Sequence, residues 1–145
     1  MSKDYDPRMH SAEHILNQTM VRMFDRGRSF SAHIEKNKSK CDYHFDRDLT
    51  KAEITEIERM VNEVIAADLP VREEFLPRGE AETVFNLGRL PEEAGETIRI
   101  IRIGDYDACP CIGSHVRHSG EIGGVRIIST DFAKGVLRIR FKLSG

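Results

Sequence analysis

Two pairs of metal-type side chains, set at opposite ends of a 145-residue chain, constrain this sequence more than anything else in it: His10 and His14, then Cys111 and His115. Each pair is separated by three residues, and any fold that uses all four must bring the two ends of the polypeptide together. Residues four apart lie on one helical face, so a helix across 10–14 aims both imidazoles at a single ion. The flanking residues support that helix. Asp6 is an N-cap, Pro7 suits the first helical position, and Gly27 follows Arg22 and Arg26 as a stop. Met9, Ala12, Leu16, Met20 and Met23 form an apolar stripe beside the histidines. Two histidines at this spacing also occur on ordinary helix surfaces. The matched Cys-His pair turns the pattern towards a metal hydrolase, since four of the nine His and Cys residues fall into these two pairs.

The second pair sits in Asp107-Ala-Cys-Pro-Cys-Ile-Gly-Ser-His115, which reads as a Pro- and Gly-punctuated loop after the apolar run Ile98 to Ile103. Cys109 precedes Cys111 by two residues and is a rival ligand. Three cysteines do not make a disulfide framework, and 109 and 111 are too close for an easy bridge.

A content of 39% hydrophobic and 32% charged residues suits one globular domain spanning 1–145. No apolar stretch approaches the roughly 20 residues that span a bilayer, and the first residues lack a signal-peptide core. A cytoplasmic location is the expectation. The net charge of −2 is unevenly spread: residues 42–96 carry 15 acidic against 6 basic residues, and residues 112–145 carry 6 basic against 2 acidic. The basic end can face phosphates, or Arg138, Arg140 and Lys142 can form the solvated face of a strand whose other face is Leu137, Ile139 and Phe141.

Strands are expected at Ser29 to Ile34 and Lys40 to Phe45, as a hairpin. Thr50 and Glu53 form a capping box for a helix carrying Ile54, Ile57, Val61, Val64 and Ile65 until Leu69-Pro70. Beyond it come a strand at Val71 to Leu76, a short helix at Glu80 to Asn86, a turn at Glu92 to Gly95, and strands at Thr97 to Ile103, Val125 to Thr130 and Val136 to Leu143. Because helices and strands do not alternate regularly, the expected class is α+β: an antiparallel sheet packed with two main helices in two layers. No Gly-rich phosphate loop precedes a helix.

The runs His10-Ser-Ala-Glu-His-Ile-Leu16 and Cys111-Ile-Gly-Ser-His-Val116, with Ile57-Glu58, Val61-Asn62-Glu63, Gly120-Glu-Ile-Gly123 and Lys134-Gly-Val-Leu-Arg-Ile139 between and after them, resemble the editing domain shared by alanyl- and threonyl-tRNA synthetases. The likeness runs from about His10 onward and extends to the short free-standing members called AlaX, to which the chain is similar. It implies zinc at His10, His14, Cys111 and His115, and hydrolysis of the ester linking a wrong amino acid to tRNA. Serine or glycine on alanine tRNA would be the leading substrates. Where the alanyl branch usually reads Cys-Gly-Gly-Thr-His, this chain has Ile112 and Ser114, and a branched side chain there would narrow a pocket.

Ser31 and His33 are candidates to line the amino-acid pocket, or strand residues with a structural role. Glu13 is either a surface charge or a partner of the ligands, and Asp105 and Asp107 either orient an imidazole or cap turns. Arg117, His118, Lys134 and Arg138 are the candidate contacts to tRNA phosphates. Two other functions remain open. A closed four-ligand zinc site would make a structural RNA-binding module. His10-Ser-Ala-Glu-His14 also satisfies the inverted zinc-protease signature, with Glu13 as base.

Overall fold

A computed structural model describes residues 6–85 and 95–144. Helix α1 (Pro7–Phe24) starts as its sequence requires, with Asp6 accepting hydrogen bonds from the backbone N–H groups of Arg8 and Met9 at 2.9 and 3.2 Å. It stops two residues before the expected glycine, at Asp25, whose left-handed backbone lets its N–H bond the Val21 carbonyl. Helix α2 (Lys51–Ala66) carries the capping box: Thr50 Oγ1 accepts from Glu53 N–H at 3.1 Å, and Glu53 Oε1 accepts from Thr50 N–H at 2.9 Å.

The class is α+β, but with two antiparallel sheets where one was expected. The larger contains β1 (Ser31–His33), β2 (Ser39–His44), β7 (Val136–Leu143) and β6 (Val125–Ala133), in that order. The smaller contains β3 (Val71–Pro77), β4 (Thr97–Ile103) and β5 (Asp107–Pro110). Helix α3 (Arg78–Glu82) starts earlier than the predicted Glu80, Asn86 lies outside the described residues, and so does most of the expected 92–95 turn.

One face of the larger sheet supplies Cys41, Tyr43, Leu137, Ile139 and Phe141 to a core shared with Met9, Ala12, Leu16 and Met20 of α1 and Ile57, Val61 and Ile65 of α2. Full burial of side chains such as Phe141 or Leu16 is worth about 1.5–3 kcal/mol each, which fixes α1 against the sheet. Asn62 on α2 clasps the start of β6 by donating to Val125 O at 2.9 Å and accepting from Val125 N–H at 2.8 Å.

The predicted loop from Asp107 is corrected in its first four residues, which form β5, with Cys109 opposite Ile101 and Asp107 opposite Ile103. β5 is an edge strand ending at Pro110, where a missing N–H costs no ladder bond. This pairing carries the chain from the small sheet to the N-terminal half of α1, where the two ligand pairs meet. Among the described residues, no helix is long and apolar enough to cross a membrane.

Candidate metal centre

Every residue of α1 from Met9 to Asn17 is buried, polar ones included. A helix sunk on all sides must find partners for its polar side chains. Asn17 Oδ1 accepts from Ser29 N–H at 3.0 Å and from the Tyr43 hydroxyl at 2.9 Å, while its Nδ2 donates to Glu13 Oε2 at 2.9 Å. Thr19 Oγ1 donates to the Ile15 carbonyl at 2.8 Å.

His10, His14, Cys111 and His115 converge, with one donor atom from each lying within 4.8 Å of all the others. Cys111 Sγ is 3.5 Å from His10 Nε2 and 3.4 Å from His115 Nε2. In a tetrahedral zinc site, bonds of about 2.0–2.1 Å to nitrogen and about 2.3 Å to sulfur separate N and S by about 3.5 Å. The donor spacing therefore fits that ion. Each imidazole is also oriented from behind. His10 Nδ1 meets the Ser114 carbonyl at 3.3 Å, and His115 Nδ1 meets Ser11 Oγ at 2.9 Å. His14 Nδ1 faces Asp107 Oδ2 at 3.6 Å, within ion-pair range but too long for a hydrogen bond, and is the one buried side-chain polar atom without a hydrogen-bond partner among the described residues. Holding the second ring nitrogen fixes ring orientation at metal sites.

The loop bearing Cys111 is held by Arg99, which donates to the carbonyls of Cys111 and Gly113 at 3.1 and 2.8 Å while its Nε pairs with Glu73 at 2.7 Å. Gly113 lies so close to the His10 ring that a Cβ there would overlap His10 Cε1 unless the ring or the loop moved. Its N–H donates to Cys111 Sγ at 3.4 Å.

Burial works against a charged Cys111, but the facing imidazoles of His10, His115 and His14 outweigh it and draw the thiol down to about 3. The cluster thus favours the thiolate, the form that binds metal. Burial also opposes a proton on His14, yet the Asp107 carboxylate and Cys111 raise that ring to about 10. His115 is pushed down to about 4 by burial and by the neighbouring His14 and His10 rings, which together outweigh the raising effect of Cys111. Asp107 stays ionised against burial because His14 and Arg28 face it, with Arg28 Nη1 at 2.6 Å and Gln18 Nε2 adding a bond at 2.9 Å.

The other candidates divide clearly. Asp107 lies behind His14 and Asp105 is exposed. Glu13 is buried, and Oε1 lies 3.8 Å from His10 Nε2. Cys109 stands outside the four-donor group, its thiol directed at the Pro110 carbonyl at 3.5 Å. Ile112 is 53% exposed. Ser31 and His33 lie on the exposed side of edge strand β1, opposite in sense to Ala32, and His33 pairs with Glu35 at 2.9 Å. Arg117 and His118 are exposed ahead of a 3-10 turn (Ser119–Ile122), Lys134 sits in the β6–β7 turn, and Arg138 is committed to Asp42 by two bonds of 2.8 and 2.9 Å. Arg28, Arg99, Ser11 and Asn17 were missed by sequence reasoning. No local pattern marks them, because each acts on a residue distant in the chain.

Residues 98–140 match the family described as the threonyl and alanyl tRNA synthetase second additional domain. Similarity to alanine-tRNA ligases extends much further. The chain is 36% identical over 141 residues to that of Halorubrum lacusprofundi, covering 94% of this chain and 15% of the relative. It is 34% identical over 134 residues to that of Fervidobacterium nodosum (91% and 16%) and 32% identical over 121 residues to that of Bacillus subtilis (83% and 14%). The chain is thus similar along most of its length to part of alanine-tRNA ligases, and over 98–140 to the additional domain that they share with threonyl-tRNA synthetases, consistent with an editing-type domain. It spans about 15% of the length of the alanine-tRNA ligase of Halorubrum lacusprofundi.

Proposed function

We propose that this chain, acting as one editing-type domain over 1–145, hydrolyses the ester that joins a wrong amino acid to the 3′ end of tRNA. Zinc held by His10, His14, Cys111 and His115 is its cofactor, and serine or glycine on alanine tRNA is its substrate. The convergence of the four donors at zinc-like spacing, in a chain similar to this synthetase domain, carries the reading. When bound, zinc supplies Lewis acidity that polarises a carbonyl or lowers the pKa of water towards about 7. The chain's own residues keep the site in shape: Ser114, Ser11 and Asp107 orient the three rings, and Arg99 holds the Cys111 loop against His10. Glu13 places a fixed carboxylate beside the cluster. An aminoacyl ester is already activated, so positioning and stabilisation of the developing oxyanion suffice for hydrolysis.

The test is a deacylation assay on serine-, glycine- and alanine-charged alanine tRNA and on serine-charged threonine tRNA. The expected result is cleavage of the mischarged alanine tRNAs, with sparing of the correctly charged one. His14→Ala should lower the rate by at least about 100-fold while the circular dichroism spectrum is kept. Full activity in that variant would sink the reading. The burial of His10, His14 and Cys111 favours a second reading, a sealed structural zinc site. Stoichiometric zinc in a folded protein that cleaves none of the four substrates would establish it.

A further inference from the structure

The outer face of the larger sheet, turned away from the core, carries three rows of charge set by strand register. In one row Arg138 lies between Asp42 and Asp131, and it bonds Asp42 at 2.8 and 2.9 Å. That row neutralises itself. In the next, Lys40 of β2 stands directly opposite Arg140 of β7, and beyond it Lys142 of β7 stands directly opposite Arg126 of β6. Like charges in directly opposed positions of an antiparallel pair destabilise a sheet. Arg140 has Asp131 and Ser129 as partners, but among the described residues Lys38, Lys40, Arg126 and Lys142 have no carboxylate within ion-pair range. Beside the Lys40–Arg140 row lies an open cavity of about 240 Å³ lined by His33, Glu35, Lys38, Ser39, Lys40 and Arg140. Its one carboxylate, Glu35, is paired with His33. The hairpin around it is pinned, since Ser39 Oγ accepts from Glu35 N–H at 3.0 Å. Lys38 thus projects from a pinned turn and Lys40 from the strand that follows it.

We infer that this face, centred on Lys38, Lys40, Arg140, Lys142 and Arg126, is the docking surface for the RNA sugar-phosphate backbone. It displaces the scattered Arg117, His118 and Lys134 and the self-neutralised Arg138 from that role. The inference rests on the tRNA reading above and locates the polyanion in it. A phosphate chain laid across the two like-charge rows relieves their repulsion, so the positive charge that costs the free sheet stability is the charge that binds.

The test uses the full chain and an uncharged acceptor-stem RNA hairpin, with affinity measured by fluorescence anisotropy across a salt series. Lys40→Glu combined with Lys142→Glu should weaken binding at least about tenfold and flatten the slope of log affinity against log salt by about 2. The same variant should melt at or above the wild-type temperature, because each glutamate faces an arginine. The Lys40→Gln, Lys142→Gln variant should show a smaller loss in the same direction. Unchanged affinity and slope would overturn the inference, as would a larger loss from Arg117→Glu with Lys134→Glu, or a lowered melting temperature in the charge-reversed variant. Hydrolysis of mischarged tRNA with RNA binding indifferent to these substitutions removes this surface and keeps the proposed reaction. RNA binding lost on charge reversal, without hydrolysis in the wild type, keeps the surface and removes the reaction.

Discussion

The two sides of the four-stranded sheet obey opposite electrostatic rules. On the inner side, where α1 packs, almost every polar group has a partner that fixes it: Glu13 is held by Asn17, Asn17 by Ser29 and Tyr43, and Asp107 by Arg28 and Gln18. The exception, His14 Nδ1, belongs to the candidate metal centre. On the outer side, Lys40 faces Arg140 and Lys142 faces Arg126 across strands, and of these four only Arg140 has a carboxylate partner among the described residues. Solvent screens exposed charge and makes repulsion there affordable, whereas an unpaired charge in the interior costs several kcal/mol. The same fold can therefore hold a rigid cluster on one side and an open, positively charged surface on the other.

Asp107→Asn strikes the inner side and should have the largest effect of three substitutions that probe this contrast. It leaves the guanidinium of Arg28 without its carboxylate and His14 without its orienting charge. Zinc affinity should fall about 10–100-fold by competition with a chelating dye, and denaturant unfolding should show a loss of about 3 kcal/mol. Wild-type affinity would mean that the inner network is not what shapes the cluster. Gly113→Ala should come next. Its methyl group cannot coexist with the present position of His10, so the ring or the loop must shift, at a cost of about 1–3 kcal/mol with weakened zinc binding.

The smallest effect belongs to the neutral row of the outer side. Arg138→Gln should cost about 1 kcal/mol or less, because its ion pair with Asp42 is partly exposed. Its signature is in pH. Arg138 holds the Asp42 carboxyl below its ordinary value of 3.8. The stabilisation is complete above that value and disappears as pH falls through the lower folded value. In thermal melts from neutral pH into this acid range the wild type should lose that component, which Arg138→Gln already lacks, so the gap between them narrows as pH drops. A gap that widened with acid would break the assignment.

Both helices that build the inner side were legible in the sequence because their signals are local: Asp6-Pro7 and Thr50 with Glu53 start them, and apolar spacing continues them. The α+β class followed from the order of elements. Division into two sheets did not, since the apolar alternation in β4 does not say which strand it pairs with. β5 was hidden by its proline, which reads as a loop signal but is harmless at the end of an edge strand. The four ligand-type residues were visible as pairs, yet the partners of their rings were not. Ser11, Ser114 and Asp107 acquire those roles only through contacts between distant stretches of chain. Glu13 was read as surface or partner, and burial decided between them.

By itself the sequence determined the chemical identity of the four donors, the helical spacing that pairs His10 with His14, and the excess of positive charge in its last third. Tertiary structure decided that the four donors meet at one point, which histidine faces which orienting group, and which cations oppose one another across the sheet. The physical reason lies in range. Helical period and capping act within a few residues, whereas ligand convergence and strand register are set by burial and backbone pairing between segments that only folding brings together.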